Sequence, residues 1–144
     1  MSQENVEKFR SALEAFNRGD VEGALTNMDP QVEWQTPRSL PDPQTYYGHE
    51  GVKAWWAVMR DAFVELRLEP GEFKDIGEGQ VLVPVRASGR GRESGAEVNV
   101  SFFLLGWGRE KLERMRFFPS EAEALEAVGL SEQDAHADSS TEPK

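Results

Sequence analysis

Residues 16–34 read FNRGDVEGALTNMDPQVEW, and this stretch contains the breaks that separate the first elements of the fold. The apolar residues before and at its start recur every three or four positions: Val6, Phe9, Leu13 and Phe16. That spacing predicts an α-helix with one apolar face. Gly19 is suited to the position just after the helix end, and Asp20 is suited to the N-cap of a second helix. We expect this short helix to cover residues 21–28.

Proline ends the short helix and opens the extended part of the chain. Asp29-Pro30 closes residues 21–28, because proline disfavours helical geometry in the residue before it. Val32 and Trp34 then alternate with polar residues, which predicts a half-buried strand ending at Thr36-Pro37. A loop follows over residues 37–51. Beyond it, the apolar residues return to helical spacing, which predicts a long helix from residue 52 to about residue 65.

The second half of the chain changes to an apolar period of two. We predict strands over residues 67–76, 80–90, 97–105 and 111–118, separated by Pro-Gly or Gly-rich turns. The last three connections are too short for crossover helices, so the sheet should be largely antiparallel. Ser120 and Glu123 form a capping box for a final helix, and Gly129 is suited to its end. The order is that of an α+β fold, with helices on a curved sheet.

Composition excludes several classes of function. The chain has 144 residues, 16 Lys plus Arg against 26 Asp plus Glu, a net charge of −10, two His and no Cys. We expect neither nucleic acid nor a membrane surface as a partner, because both are anionic. The lack of Cys excludes disulfides and thiolate chemistry. No apolar run approaches the roughly 18 residues of a membrane span, and we expect a cytoplasmic protein. We also expect one domain over residues 1–130 and a disordered acidic tail over 131–144.

Three stretches together resemble a known family. They are FNRGDVEGALTNMDPQVEW, YYGHEGVKAWW and SEAEALEAVGL, in this order around the strand-rich region. The chain is similar to the NTF2-like superfamily, in its SnoaL-like or polyketide-cyclase-like branch. The resemblance implies a cone: a curved, mostly antiparallel sheet wraps around the long helix and encloses an apolar pocket. It also implies a homodimer packed through the sheet.

The catalytic residues known in relatives are missing at the matching positions. In the ketosteroid isomerase branch, the tyrosine of the first helix corresponds to Ala12 and the base to Thr36. The oxyanion-binding aspartate of that branch falls on Phe102 or Ser101. In the limonene epoxide hydrolase branch, one of three residues is retained. The matching positions of that set are Arg86, Ser88 and Arg116. Other branches use a strand histidine, whereas His49 and His136 lie outside the predicted strands.

The resemblance places a set of large side chains around the pocket. The candidates for the ligand pocket are Trp34, Trp55, Trp56, Met59, Arg86 and Met115. Packing in the core is the alternative interpretation for the aromatic and Met residues. Arg86 is the one that could bind a carboxylate. Glu33 should face solvent or a partner, because it alternates with Val32 and Trp34. Tyr46 and Tyr47 could gate a ligand or pack the loop.

Three hypotheses follow for function. The first is a homodimeric protein that binds a small hydrophobic molecule in a Trp-lined cavity, with no cofactor, no metal and no assigned catalytic residue. The second is a SnoaL-like isomerase, cyclase or hydrolase with a non-standard acid or base, such as Arg86 or Glu33. The third is a dimerisation module whose cavity is filled by Trp rings. The homodimer is also predicted because the strand over residues 97–105 is apolar on both faces.

Overall fold

The computed structural model describes residues 2–37 and 41–129. Its helices are α1 (Ser2–Asn17), α2 (Val21–Leu25), α3 (Gly48–Ala62) and α4 (Glu121–Ala127). Its strands are β1 (Met28–Gln35), β2 (Thr45–Tyr47), β3 (Phe63–Pro70), β4 (Lys74–Gly77), β5 (Gln80–Gly91), β6 (Glu97–Trp107) and β7 (Leu112–Phe118). The predicted α+β architecture is confirmed. None of the described helices is long and apolar enough to cross a membrane.

The turn between α1 and α2 forms as its residues predict. Gly19 has a φ of +79°, in the left-handed region that favours glycine. The Asp20 carboxylate accepts a hydrogen bond from the Gly23 backbone N–H at 2.9 Å, as an N-cap. The predicted extent of α2 is wrong at its end, because α2 stops at Leu25 and Met28 begins β1. The chain pairs with β7 after α2 instead of continuing the helix, and the Leu112 N–H donates to the Asn27 carbonyl at 2.9 Å.

Asn17 joins the end of α1 to the sheet. Its side-chain N–H donates to the Leu68 carbonyl at 2.9 Å, and its side-chain oxygen accepts from the Leu68 N–H at 2.8 Å. The amide thus reproduces the two hydrogen bonds of a neighbouring strand. β3 is the last strand of the sheet order, so Asn17 satisfies backbone groups that no strand reaches.

Within the described residues, one curved seven-stranded sheet runs in the order β2-β1-β7-β6-β5-β3, with β4 paired to β5. The prediction of a largely antiparallel sheet is confirmed. The exception is the parallel pair of β1 and β7, which α3 and the five intervening strands separate in the chain. β2 lies within the segment predicted as a loop, and its three residues pair with the end of β1.

The boundary between α3 and β3 differs from the predicted one. The helix ends at Ala62, three residues before the predicted end, and Phe63 is extended and pairs with Gly91. Glu65 has a φ of +58°, at a β-bulge between Val64 and Arg67. A Cβ at Gly89 would lie 3.1 Å from the Val64 carbonyl oxygen, so glycine allows the bulged strand to approach. Residues 71–73 also divide the predicted strand 67–76 into β3 and β4.

The main core lies between the helices and the inner face of the sheet. From α1 it contains Phe9, Leu13 and Phe16, and from α3 it contains Val52, Trp55, Trp56 and Met59. Inward-pointing residues of the strands complete it: Val32, Trp34, Val83, Val85, Phe102, Leu104, Met115 and Phe117. The alternating pattern in each strand therefore sends one face inward, as the period of two predicts.

A second, smaller core lies on the outer face of the sheet. Leu82 and Leu105 pack there with Ala124 and Leu125 of α4, and each is at most 1% exposed. From the sequence, we expect a second subunit to cover this apolar face. That prediction is wrong for Leu82 and Leu105, because α4 of the same chain covers them. The homodimer stays a prediction.

The caps of α4 form as predicted. The Ser120 hydroxyl accepts a hydrogen bond from the Glu123 N–H at 3.2 Å, and Gly129 has a φ of +80°. The predicted disordered tail over 131–144 lies outside the described residues, as do Leu130 and residues 38–40 of the loop after β1.

Candidate functional site

Three tryptophans meet in the core between β1 and α3. We define the indole cluster as Trp34, Trp55 and Trp56. The ring centroids of Trp34 and Trp55 are 5.0 Å apart, and those of Trp55 and Trp56 are 5.6 Å apart. Phe16 of α1 contacts all three rings, and Phe117 of β7 contacts Trp34 and Trp55. The cluster thus joins the helical layer to the sheet.

The indole N–H groups of the cluster have no acceptors among the residues that the structure describes. Among the described residues, the Nε1 atoms of Trp34, Trp55 and Trp56 are buried and form no hydrogen bond. The three side chains are between 1% and 5% exposed. A buried donor without a partner destabilises a folded protein by about 1–3 kcal/mol. Three such donors in one cluster are unusual, because buried polar groups in proteins are nearly always paired.

Met59 and Met115 complete the apolar surroundings. Met115 of β7 is opposite Trp34 in the parallel pair of strands, and Met59 lies on the buried face of α3. Both side chains are buried in the main core. The structure therefore brings five of the six predicted pocket residues into one core.

Arg86, the sixth predicted pocket residue, lies elsewhere. It alternates with the inward-pointing Val85 and Ala87, so its side chain is on the outer face and is 59% exposed. Its guanidinium forms an ion pair with Glu69 at 3.2 Å. Glu33 is also on the outer face, within 3.6 Å of Arg114, as expected from its alternation with Val32 and Trp34. Neither Arg86 nor Glu33 joins the indole cluster.

At the positions that carry acid–base groups in relatives, this chain has apolar side chains or a hydroxyl that is already hydrogen-bonded. Ala12 and Phe102 are buried apolar residues. The Thr36 hydroxyl donates to the Gln44 carbonyl and accepts from the Gln44 N–H, both at 3.0 Å. In residues 2–37 and 41–129, no Asp, Glu, Lys, Arg or His is fully buried. The described part of the core therefore offers no charged group for proton transfer.

Tyr46 is the nearest phenol to the indole cluster. It is opposite Trp34 in the pairing of β1 with β2, and it is buried. Its hydroxyl is 2.9 Å from both the carbonyl and the carboxylate of Asp42. Burial, together with Asp42, raises the pKa of Tyr46 above its ordinary value. Tyr46 is therefore a neutral group at physiological pH that packs the loop down, whereas Tyr47 is 66% exposed.

His49 links the start of α3 to β1. Its Nε2 atom lies 3.0 Å from the Met28 carbonyl, which positions the helix against the strand. No group of three or more His, Asp or Glu side chains suited to a metal ion occurs in the described part of the chain.

A cleft with several arginines opens beside the indole cluster. We call it the arginine cleft. Its volume is about 290 Å³, and it lies between the ends of α1 and α3 and the start of β3. Trp56, Phe63 and Leu66 form part of its wall, together with Arg18, Arg60 and Arg92. Sequence reasoning missed this cleft, because the three arginines are far apart in the chain and have no common motif.

Arg92 holds the end of α3. Its guanidinium donates to the carbonyls of Arg60 at 2.6 Å and Asp61 at 3.1 Å, and its backbone N–H donates to the Ala62 carbonyl. These carbonyls at a helix end have no partners within the helix. The Arg92 side chain is exposed and also caps the end of this helix.

Comparison with known proteins agrees with this architecture. A family model described as "SnoaL-like domain" matches residues 9–107. No curated protein sequence matches the chain. The crystal structure of TerC, obtained with polyporic acid, is 26% identical with a TM-score of 0.73, over 87% of this chain and 98% of TerC.

Two further solved structures show the same fold. An NTF2-like protein of unknown function from Burkholderia pseudomallei K96243 is 22% identical with a TM-score of 0.73, over 88% of this chain and 98% of that one. A putative SnoaL-like polyketide cyclase from Jannaschia sp. CCS1 is 19% identical with a TM-score of 0.70, over 95% and 94%. The protein described here therefore belongs to the SnoaL-like domain family and has the NTF2-like fold.

Proposed function

We propose that this protein binds a small, flat, hydrophobic molecule that carries hydrogen-bond acceptors, and that the indole cluster is its binding site. The observation that carries the proposal is the set of three adjacent buried indole N–H groups, which have no acceptor within residues 2–37 and 41–129. Aromatic rings favour a flat apolar ligand, and the N–H groups favour one with carbonyl, hydroxyl or carboxylate oxygens. The ligand class is therefore narrower than any hydrophobic molecule.

The energetics support binding at this place. Each unpartnered donor destabilises the free protein by about 1–3 kcal/mol, so a ligand that supplies acceptors would recover part of this free energy. The free energy of binding would then come from buried ring area and from these hydrogen bonds together. The recorded co-crystal of TerC with polyporic acid supports the idea that the fold accepts an organic molecule.

The absence of acid–base residues at the matched positions favours binding over turnover. Ala12 and Phe102 cannot transfer a proton, and the Thr36 hydroxyl is engaged by the Gln44 backbone. An enzymatic function through Arg86 or Glu33 has no support from their positions, because both lie on the outer face.

A pair of probes tests the proposal. 2-Methyl-1,4-naphthoquinone has two carbonyl acceptors on a flat ring system, and 2-methylnaphthalene has the same carbon skeleton without them. Binding of each is measured by isothermal titration calorimetry and by the rise in melting temperature. We expect the quinone to bind roughly tenfold more tightly, which corresponds to one net hydrogen bond.

Single substitutions then locate the site. Trp55→Phe keeps an aromatic ring and removes one N–H, so it should reduce the preference for the quinone. Trp107→Phe is the matched control, because Trp107 packs on the outer face with Arg114 and Arg116. If neither probe binds, or if the two variants behave alike, the proposed site is wrong.

A second candidate is a dimerisation module with a filled interior. The specific observation in its favour is the close packing of the indole cluster, whose rings also contact Phe16 at 4.9–5.7 Å between centroids. In this case the protein would form a homodimer through the outer face of the sheet and would bind neither probe. Sedimentation velocity over a range of concentrations, combined with the probe titrations, separates the two candidates.

A further inference from the structure

The arginine cleft has an excess of positive charge in an acidic protein. Its wall contains Arg18, Arg60 and Arg92 against one acidic residue, Glu65. The whole chain has a net charge of −10. A local cluster of cations in such a chain needs a reason beyond average composition, because random placement would surround them with carboxylates.

Of the three arginines, Arg60 is the one whose side chain is engaged by no described residue. Glu65 forms an ion pair with Arg90 at 3.0 Å, and Arg18 lies 3.6 Å from Asp20. Arg92 is engaged by the carbonyls at the end of α3. The side chain of Arg60 forms no hydrogen bond or ion pair with any described residue, so its guanidinium is available to an anion.

Arg60 is positioned between the two helix ends. It lies in the last turn of α3, and its Nη1 atom is 3.8 Å from the place where a Cβ at Gly19 would be. Its guanidinium therefore lies beside the turn between α1 and α2. A planar guanidinium with free donors is suited to bind a carboxylate through two parallel hydrogen bonds.

Several apolar side chains also form the wall of the cleft, and they lead toward the indole cluster. Phe16, Phe63 and Leu66 contribute to its wall, and so does Trp56. Trp56 is also a member of the indole cluster, with its ring centroid 4.9 Å from that of Phe16. The cleft and the cluster thus share a tryptophan. A volume of about 290 Å³ is at the lower end of small-molecule sites, which suits a molecule of one or two fused rings.

From this arrangement we infer that the protein selects amphiphilic organic anions: an aromatic ring system lies against Trp56 and Phe63, and its carboxylate binds Arg60. This inference rests on the proposed function, since the ring system is the part that reaches the indole cluster. It adds the charge of the ligand, which the apolar cluster alone does not specify. It also assigns a binding role to Arg60, whose side chain has no other partner among the described residues.

The test uses two ligands of the same size and ring system. Naphthalene-2-carboxylate and naphthalene-2-carboxamide differ in charge and are measured by isothermal titration calorimetry at low salt. We expect the carboxylate to bind roughly tenfold more tightly than the carboxamide, because only the carboxylate is an anion with two acceptor oxygens for the Arg60 guanidinium. Raising the salt concentration should reduce this preference, because Arg60 is exposed.

Variants assign the preference to one residue. Arg60→Gln should reduce the preference to about twofold or less, because it lowers the affinity for the carboxylate more than the affinity for the carboxamide. Arg67→Gln removes the same charge from an exposed side chain of β3 that is paired with Glu69, and it should leave the preference intact. Arg60→Lys keeps the charge without the planar donors and should retain part of the preference.

The outcomes separate this inference from the proposed function. Equal binding of carboxylate and carboxamide would overturn the inference and leave the proposed function standing. Failure of both ligands to bind would overturn both. An equal loss in Arg60→Gln and Arg67→Gln would show a general effect of net charge and would also overturn the inference. If Arg60→Gln lowers the free energy of unfolding but leaves the ligand preference unchanged, Arg60 only stabilises the end of α3, and the inference is overturned.

Discussion

Replacing Asn17 by alanine should destabilise the protein more than most substitutions of a half-buried polar residue do. Asn17 makes two hydrogen bonds to the backbone of Leu68, at 2.9 and 2.8 Å. Leu68 is 5% exposed, so its N–H and carbonyl cannot both be rehydrated when the amide is removed. Asn17→Ala therefore leaves one donor and one acceptor of the sheet without partners.

The expected loss follows from these two groups. An unsatisfied buried polar group costs about 1–3 kcal/mol, and partial access of water beside the half-buried Asn17 favours the lower part of that range. We expect the free energy of unfolding to fall by about 2–4 kcal/mol. Asn17→Asp should not restore it, because a carboxylate can accept from the Leu68 N–H but cannot donate to the Leu68 carbonyl.

The assay is urea unfolding followed by circular dichroism at 222 nm, with hydrogen exchange of the Leu68 amide as a local measurement. Asn27→Ala is the matched control, because Asn27 is also half-buried and its side chain forms no hydrogen bond with a described residue. We expect the control to change the unfolding free energy by less than about 1 kcal/mol. If Asn17→Ala and Asn27→Ala agree within about 0.5 kcal/mol, the side chain of Asn17 does not complete the sheet edge.

Two further predictions concern the end of α3 and the loop before it. Arg92→Met should lower the free energy of unfolding by about 1 kcal/mol, because it removes a cation and hydrogen-bond donors from the helix end. Arg86→Met, the control, should change it by less than about 0.5 kcal/mol, and equal effects in urea unfolding would contradict the capping role. The folded-state pKa of Tyr46 is raised, so its contribution to stability is complete below the pKa of the unfolded chain, near roughly 10, and is lost as the pH rises through the folded-state pKa. Tyr46→Phe should therefore show a smaller fall in urea midpoint above that pH than the wild type, and parallel curves would refute the assignment.

Local signals in the sequence predict much of the fold correctly. Gly19, Asp20, Ser120 and Gly129 act within a few residues of themselves, and each takes the predicted place at a helix end. The alternation in the later strands also predicts which side chains are buried. These signals depend on backbone conformation and on the period of apolar residues, which neighbouring residues determine.

Element boundaries were predicted less well where two structures compete for the same residues. Phe63 continues the apolar spacing of α3 and also suits a strand, and pairing with Gly91 decides in favour of the strand. Met28 was likewise predicted at the end of α2, whereas in the structure it begins β1. β2 is three residues long and has no pattern of its own, so its pairing with β1 could not be foreseen.

The candidate site, too, could be predicted from the sequence only in part. The resemblance to relatives identified the tryptophans and methionines as pocket candidates, and their helical or alternating spacing predicted that they face the core. Their N–H groups could not be assessed, since whether a donor finds an acceptor depends on groups distant in the chain. Arg86 was expected in the pocket, but the strand phase places it on the outer face.

The sequence by itself determined the class of fold, the helix ends and the apolar composition of the core, because these follow from short-range conformational preferences and apolar spacing. The tertiary structure alone decided which residues meet. It paired β1 with β7 and covered Leu82 and Leu105 with α4 instead of a second subunit. It also left three indole N–H groups without acceptors in the described part of the chain. It also brought Arg18, Arg60 and Arg92 to one cleft. Contacts between residues far apart in the chain depend on how the helices and sheet pack, and no local pattern encodes that packing.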